Sequence, residues 1–102
     1  MTERVQFSKR ANKDIGRIDT TTRERVRKAV TGLVELPPRP NLDVRPLVGH
    51  APWLRLRVGD VRVILRPLSS DERRQVNVDA PASLVERVID RRDLERAAES
   101  LR

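Results

Sequence analysis

Neither cysteine nor tyrosine occurs among the 102 residues of this chain. Without thiols there is no disulfide frame and no thiolate metal site. His50 is the single histidine, and the carboxylates stand at no ligand-like spacing. No metal and no cofactor are therefore expected. Aromatic residues are nearly missing, with one Phe and one Trp, at positions 7 and 53. No apolar run approaches the roughly 20 residues that a membrane span requires. The opening MTERVQFSKR lacks a signal-like apolar stretch. The expectation is a cytoplasmic protein with no membrane partner.

Lysine is also rare, limited to Lys9, Lys13 and Lys28, so arginine carries almost all the positive charge. Lys and Arg total 22 against 15 acids, a formal net charge of +7. The excess lies in the first two-thirds of the chain, because residues 69–102 hold more acids than bases. A small, strongly basic domain favours anionic partners, nucleic acid first and an acidic protein second. Arginine suits phosphate in particular, since its planar fork of donors matches two oxygens at once. The length fits one domain, residues 1–102, with a modest core.

The apolar pattern organises that domain. Glu3 to Phe7 alternates and reads as a short strand. Ser8 is placed to cap a helix carrying Ala11, Ile15 and Ile18. Asp19-Thr20 breaks it, and Thr21-Thr22-Arg23-Glu24 has the form of a capping box for a second helix with Val26, Val30 and Leu33. Pro37-Pro38-Arg39-Pro40 ends this αα-hairpin. Residues 41–52 read as a connector, and the polar stretch Ser69 to Asp79 as a loop. Leu84 to Arg91 reads as a strand, and Asp93 as the cap of a last helix with Leu94, Ala97, Ala98 and Leu101. The order implies an α+β fold: a small, mostly antiparallel sheet, an N-terminal αα-hairpin packed on one face and a C-terminal helix.

Residues 52–67, PWLRLRVGDVRVILRP, are the most informative stretch. Gly59-Asp60 between alternating residues signals a two-residue hairpin turn. With that turn, Val58 faces Val61, Arg57 faces Arg62, Leu56 faces Val63, Arg55 faces Ile64 and Leu54 faces Leu65. Directly opposed residues share a sheet face. One face is then wholly apolar and belongs to the core. The other holds Trp53, Arg55, Arg57, Arg62, Ile64 and Arg66. Like charges set opposite one another cost on the order of a few tenths of a kcal/mol each. Such a face either snorkels its arginines over the sheet or pairs them with Asp and Glu from the tail, or it meets phosphates. Trp53 is available to stack on a base or to fill the sheet edge.

These residues also carry a family likeness. Val5-Gln6-Phe7-Ser8-Lys9-Arg10-Ala11, Pro37-Pro38-Arg39-Pro40 and Val44-Arg45-Pro46-Leu47-Val48-Gly49 contribute to it. The hairpin Leu54 to Ile64 and the ending Val88-Ile89-Asp90-Arg91-Arg92-Asp93-Leu94 carry it most strongly. Across almost the whole chain, the sequence resembles the RelE/ParE superfamily of toxins from type II toxin–antitoxin systems, with its RelE branch favoured.

The resemblance implies a RelE-like fold and a ribosome-dependent mRNA endonuclease that works without metal. Its partners would be mRNA on the ribosome and a cognate antitoxin. By position it makes Arg55, Arg62 and Arg91 the residues that hold the scissile phosphate; the arginine-rich surface around them adds Trp53, Arg57, Arg66 and Arg92 as the expected RNA-binding residues. Where the family commonly has His and Tyr in its ending, this chain has Asp90 and Glu95. Attack by a ribose 2′-OH needs a proton acceptor, and arginine is a poor one. Glu95, Asp90, His50 and the ribosome itself are the alternatives, and Glu95 takes the catalytic place. Two other functions share the same motifs: inhibition of DNA gyrase without ribonuclease activity, as in ParE-like toxins, and non-catalytic binding of RNA or antitoxin.

Overall fold

The computed structural model describes residues 4–101. Five strands form one sheet in the order β1-β5-β4-β3-β2. They are β1 (Val5–Phe7), β2 (Asp43–Pro46), β3 (Leu54–Val58), β4 (Val61–Pro67) and β5 (Ser83–Asp90). β1 runs parallel to β5, and the other three pairings are antiparallel. Four helices accompany the sheet: α1 (Lys9–Ile15), α2 (Thr20–Val34), α3 (Ser70–Gln75) and α4 (Leu94–Glu99). This is the expected α+β architecture.

Local chemistry sets the boundaries. Ser8 caps α1, its hydroxyl accepting from the Ala11 amide. Gly16 ends α1, so Ile18 lies in the following turn, although it still packs against the core. The cap of α2 is Asp19, not the Thr21 box expected from the sequence. The Asp19 carboxylate accepts from the Thr22 amide and hydroxyl at 3.0 and 2.6 Å. A charged acceptor at a helix N-terminus also meets the positive end of the helix dipole, so the earlier start wins.

Two segments differ from the sequence reading. The connector contains the edge strand β2, and the polar stretch after β4 contains α3. α3 begins with a complete capping box, Ser69 and Glu72 exchanging side-chain and backbone hydrogen bonds. The final strand ends at Asp90, so Arg91 stands just beyond it in a 3-10 turn of residues Arg91–Asp93. Asp90 caps that turn by accepting from the Arg92 amide. Asp93 occupies the cap position of α4 without making a side-chain cap bond.

The hairpin register is the one read from the Gly59-Asp60 turn, from Leu54↔Leu65 to Val58↔Val61. Gly59 has φ +58, the left-handed conformation that such a turn demands. Leu56, Val58, Val63 and Leu65 are buried with Val85 and Val88 of β5 against Ala11, Ile15, Val26 and Val30 of α1 and α2. The opposite face is not bare. Trp53, Ile64 and Ile89 form a second, smaller core with Ala97, flanked by Leu94 and Leu101. The C-terminal helix thus covers part of the face that carries the arginines.

Where β1 stops, α1 takes over the sheet edge. β1 pairs only with Ser83 to Val85 of β5. Farther along, Asp14 of α1 accepts from the Val88 amide at 2.9 Å and from both ends of the Arg87 guanidinium at 2.8 and 3.2 Å. Asp14 is buried, and its three bonds replace the missing strand.

Candidate nucleic-acid interface

The rows of the sheet decide which arginines gather. Across the arginine face, Asp43 of β2 stands beside Arg57, Arg57 beside Arg62, and Arg62 beside Ile89. One row farther from the turn, Arg45 stands beside Arg55 and Arg55 beside Ile64. Strand β2 therefore brings in the acid that the hairpin lacks. Asp43 accepts from Arg55 at 3.2 Å, with Arg45 at 3.7 Å on the same oxygen.

At the turn end, Arg62 sits in a cationic field. Its guanidinium donates to the carbonyls of Gly59 and Val61 at 2.8 and 3.1 Å, which hold it over the turn. Partial burial first, then the charges of Arg57, Arg55 and Arg91, push its pKa down, with Asp43 opposing. Arginine remains protonated under this pressure, so the cost appears as unrelieved repulsion. Arg91 reaches the same place from β5. Its amide donates to the Asp60 carbonyl at 2.9 Å, and its guanidinium lies 3.9 Å from the Asp60 carboxylate. Arg57 is exposed and has no carboxylate within ion-pair distance among the described residues.

The remaining site candidates lie elsewhere. Arg66 makes a two-pronged bond to Glu72 of α3, 2.8 Å on each side, and lies 5.6 Å over the Trp53 ring. Trp53 is 7% exposed and packed in the second core. Arg92 is exposed and its guanidinium is bonded to Asp90 at 3.0 Å; the Arg92 amide first, and this side-chain bond second, hold the Asp90 carboxyl below its ordinary range. Glu95 is exposed in the first turn of α4. His50 belongs to the turn between Leu47 and Trp53, at the end of β3 away from Gly59. The structure thus brings together Arg55, Arg57, Arg62 and Arg91, and places Arg66 on Glu72 and Trp53 in the second core. Among the described residues no three His, Asp or Glu side chains come together as a metal site. No helix among them is long and apolar enough to cross a membrane.

Sequence reasoning missed Asp43 and Glu72 as partners of the hairpin. Asp43 gave no signal, because β2 was unrecognised. Glu72 did give one, since Ser69-Ser70-Asp71-Glu72 is itself a capping-box pattern.

Known proteins share this fold. No curated protein matches the chain significantly. A chain in the crystal structure of the RelB–RelE antitoxin–toxin complex from Methanococcus jannaschii superimposes with a TM-score of 0.66 at 18% identity, covering 90% of this chain and 96% of the other. A chain in the archaeal RelE–RelB complex from Pyrococcus horikoshii OT3 superimposes with a TM-score of 0.60 at 26% identity, covering 89% and 97%. Residues 5–80 match the family model described as the ParE toxin of the type II toxin–antitoxin system parDE. With three-quarters of its length inside that match and a RelE-like fold throughout, the chain belongs to the RelE/ParE superfamily of type II toxin–antitoxin toxins.

Proposed function

We propose that this toxin cleaves mRNA on the ribosome, and that the cluster of Arg55, Arg57, Arg62 and Arg91 holds the scissile phosphate. The observation that carries the reading is the crowding at Arg62. After partial burial, three other guanidinium groups push its pKa down, and the Asp43 carboxylate opposes them. A doubly negative phosphorane relieves that repulsion better than a singly charged phosphodiester does. The cluster therefore favours the transition state over the ground state.

The chemistry needs no cofactor. The ribose 2′-oxygen forms a bond to the adjacent phosphorus, and the bond from phosphorus to the 5′-oxygen breaks. The products are a 2′,3′-cyclic phosphate and a free 5′-OH. The 2′-OH proton leaves to a base, and the 5′-oxygen takes up a proton. Glu95 is the acceptor that best fits the role. It is exposed and makes no ion pair among the described residues, whereas Asp90 is engaged by Arg92 and His50 lies at the far end of β3.

A cognate antitoxin is the second partner. The similar solved structures are complexes of RelE with RelB, and an acidic or amphipathic segment would neutralise the arginine surface as it folds onto it. The test is mRNA cleavage in a translating extract, mapped by primer extension, for wild type, Arg62→Ala and Glu95→Gln. Loss of one transition-state donor lowers the rate about 10²–10³-fold, so Arg62→Ala should abolish visible cleavage while staying folded. The family match to ParE toxins supports a second reading, inhibition of DNA gyrase. Intact mRNA at growth-arresting concentrations of wild-type toxin, together with inhibited supercoiling by purified gyrase, would establish that reading in place of the first.

A further inference from the structure

The positive surface does not stop at the sheet. Behind the Gly59 turn, between α2 and residues 39–42, lies a groove of about 680 Å³. Arg25, Lys28, Arg39 and Arg57 line it, with Leu42 and Gly59 in its floor and no acid among its lining residues. All four cations are exposed. None has a carboxylate within ion-pair distance among the described residues. The Arg25 guanidinium lies against the turn itself, so close that a Cβ at Gly59 would meet it at 3.2 Å. Arg39 is held in place by its stem. Its side-chain carbons pack over Gly32, and its guanidinium donates to the Lys28 carbonyl at 3.4 Å. The next depression along α2 contains Glu35, which ends the acid-free tract.

Arg57 belongs to both surfaces. It stands beside Arg62 in the sheet and lines the groove on the helix side. Positive charge therefore runs from Arg91 through Arg62 and Arg57, around the turn, to Arg25, Lys28 and Arg39. We infer that the RNA strand held at the arginine cluster continues around the hairpin turn, and that this groove binds its flanking phosphates. The inference rests on the RNA-cleaving reading. Four exposed groove cations with no carboxylate within ion-pair distance among the described residues, and no aromatic platform beside them, fit a sugar–phosphate backbone in any base sequence. The large exposed apolar residues that an amphipathic helix would seek, Leu36 and Val48, are not among the groove's lining residues.

The test uses the 102-residue toxin and fluorescein-labelled 2′-O-methyl RNA, which lacks the attacking hydroxyl and so cannot be cleaved. Oligonucleotides of about 4 and about 12 nucleotides are compared by anisotropy over a salt series, for wild type, Arg62→Ala and Arg25→Gln/Lys28→Gln. Each single-strand phosphate contact adds about 0.7 to the slope of log K against log salt. The double variant should lower the slope for the long oligonucleotide by about 1.4. It should weaken binding on the order of 20-fold at 0.1 M salt, and leave the short oligonucleotide unaffected. Arg25→Lys should retain the long-strand affinity, and unchanged melting temperatures exclude misfolding. If Arg62→Ala weakens both lengths and the double variant weakens neither, the groove inference falls and the cleavage reading stands. If Arg62→Ala weakens neither, both fall together. If the double variant loses only poly-glutamate binding, the groove serves an acidic polypeptide and the inference is overturned.

Discussion

Removing the Asp14 carboxylate should be the most damaging single change to a charged residue in this protein. Asp14 is 7% exposed, and Arg87 keeps 19% of its side chain in solvent. The carboxylate satisfies three donors at once: both prongs of Arg87 and the Val88 amide. It also raises the pKa of Arg87, directly bonded to it. Asp14→Ala leaves a largely buried guanidinium without its partner and an amide on β5 without an acceptor. Breaking a buried pair costs about 3–5 kcal/mol. Because Arg87 can reach some water, the lower end applies, about 3 kcal/mol. For a domain of this size that lowers Tm by about 15 °C. Asp14→Asn keeps an acceptor for the Val88 amide and loses only the charge, so about 1–2 kcal/mol is expected. Urea and thermal denaturation followed by circular dichroism provide the assay, with Arg87→Met and the double variant completing a cycle. The double variant should be more stable than the sum of the singles implies, by about 1 kcal/mol or more. A loss below about 1 kcal/mol for Asp14→Ala, or strict additivity in the cycle, would refute the account of α1 as the cap of the β5 edge.

Glu72 is held down to about 2 from an ordinary 4.5, chiefly by its bond to Arg66 and then by the Ser69 amide. Its folded pKa lies below its unfolded one, so its stabilising effect is complete above about pH 4.5 and disappears as pH falls through about 2. Glu72→Gln should flatten stability across that acid window, which urea midpoints taken at several pH values will reveal. Gly59→Ala forces a side chain into the left-handed region and against Arg25. It should lower stability by about 1–2 kcal/mol, measured as a shift in the urea midpoint. Trp53 is the sole tryptophan, and its packing predicts blue-shifted emission with weak quenching by iodide in the native protein. Trp53→Ala should cost about 3 kcal/mol by emptying the second core, again read from denaturation midpoints.

The sequence by itself determined the hairpin. Period-two alternation on both sides of Gly59-Asp60 permits one register that sets Leu54, Leu56, Val58, Val61, Val63 and Leu65 on a single face. The opposition of Arg57 to Arg62 follows from it. The α1–α2 hairpin was legible for a similar reason, since its apolar positions recur at helical spacing over enough turns to leave little choice. Two short elements, β2 and α3, were not legible. β2 has four residues and includes a proline, and α3 has six residues and no buried side chain. Neither carries enough periodic signal, and both depend on what they pack beside. That dependence is why the site was only partly readable. Arg55, Arg57, Arg62 and Arg66 look equivalent along the strands, yet Asp43 reaches Arg55, Glu72 takes Arg66, and Arg57 and Arg62 are left to gather with Arg91. Local patterning sets which face a side chain takes, because the pleat is a local property of the backbone. Which charges find partners depends on residues distant in sequence, and only the tertiary structure decides that.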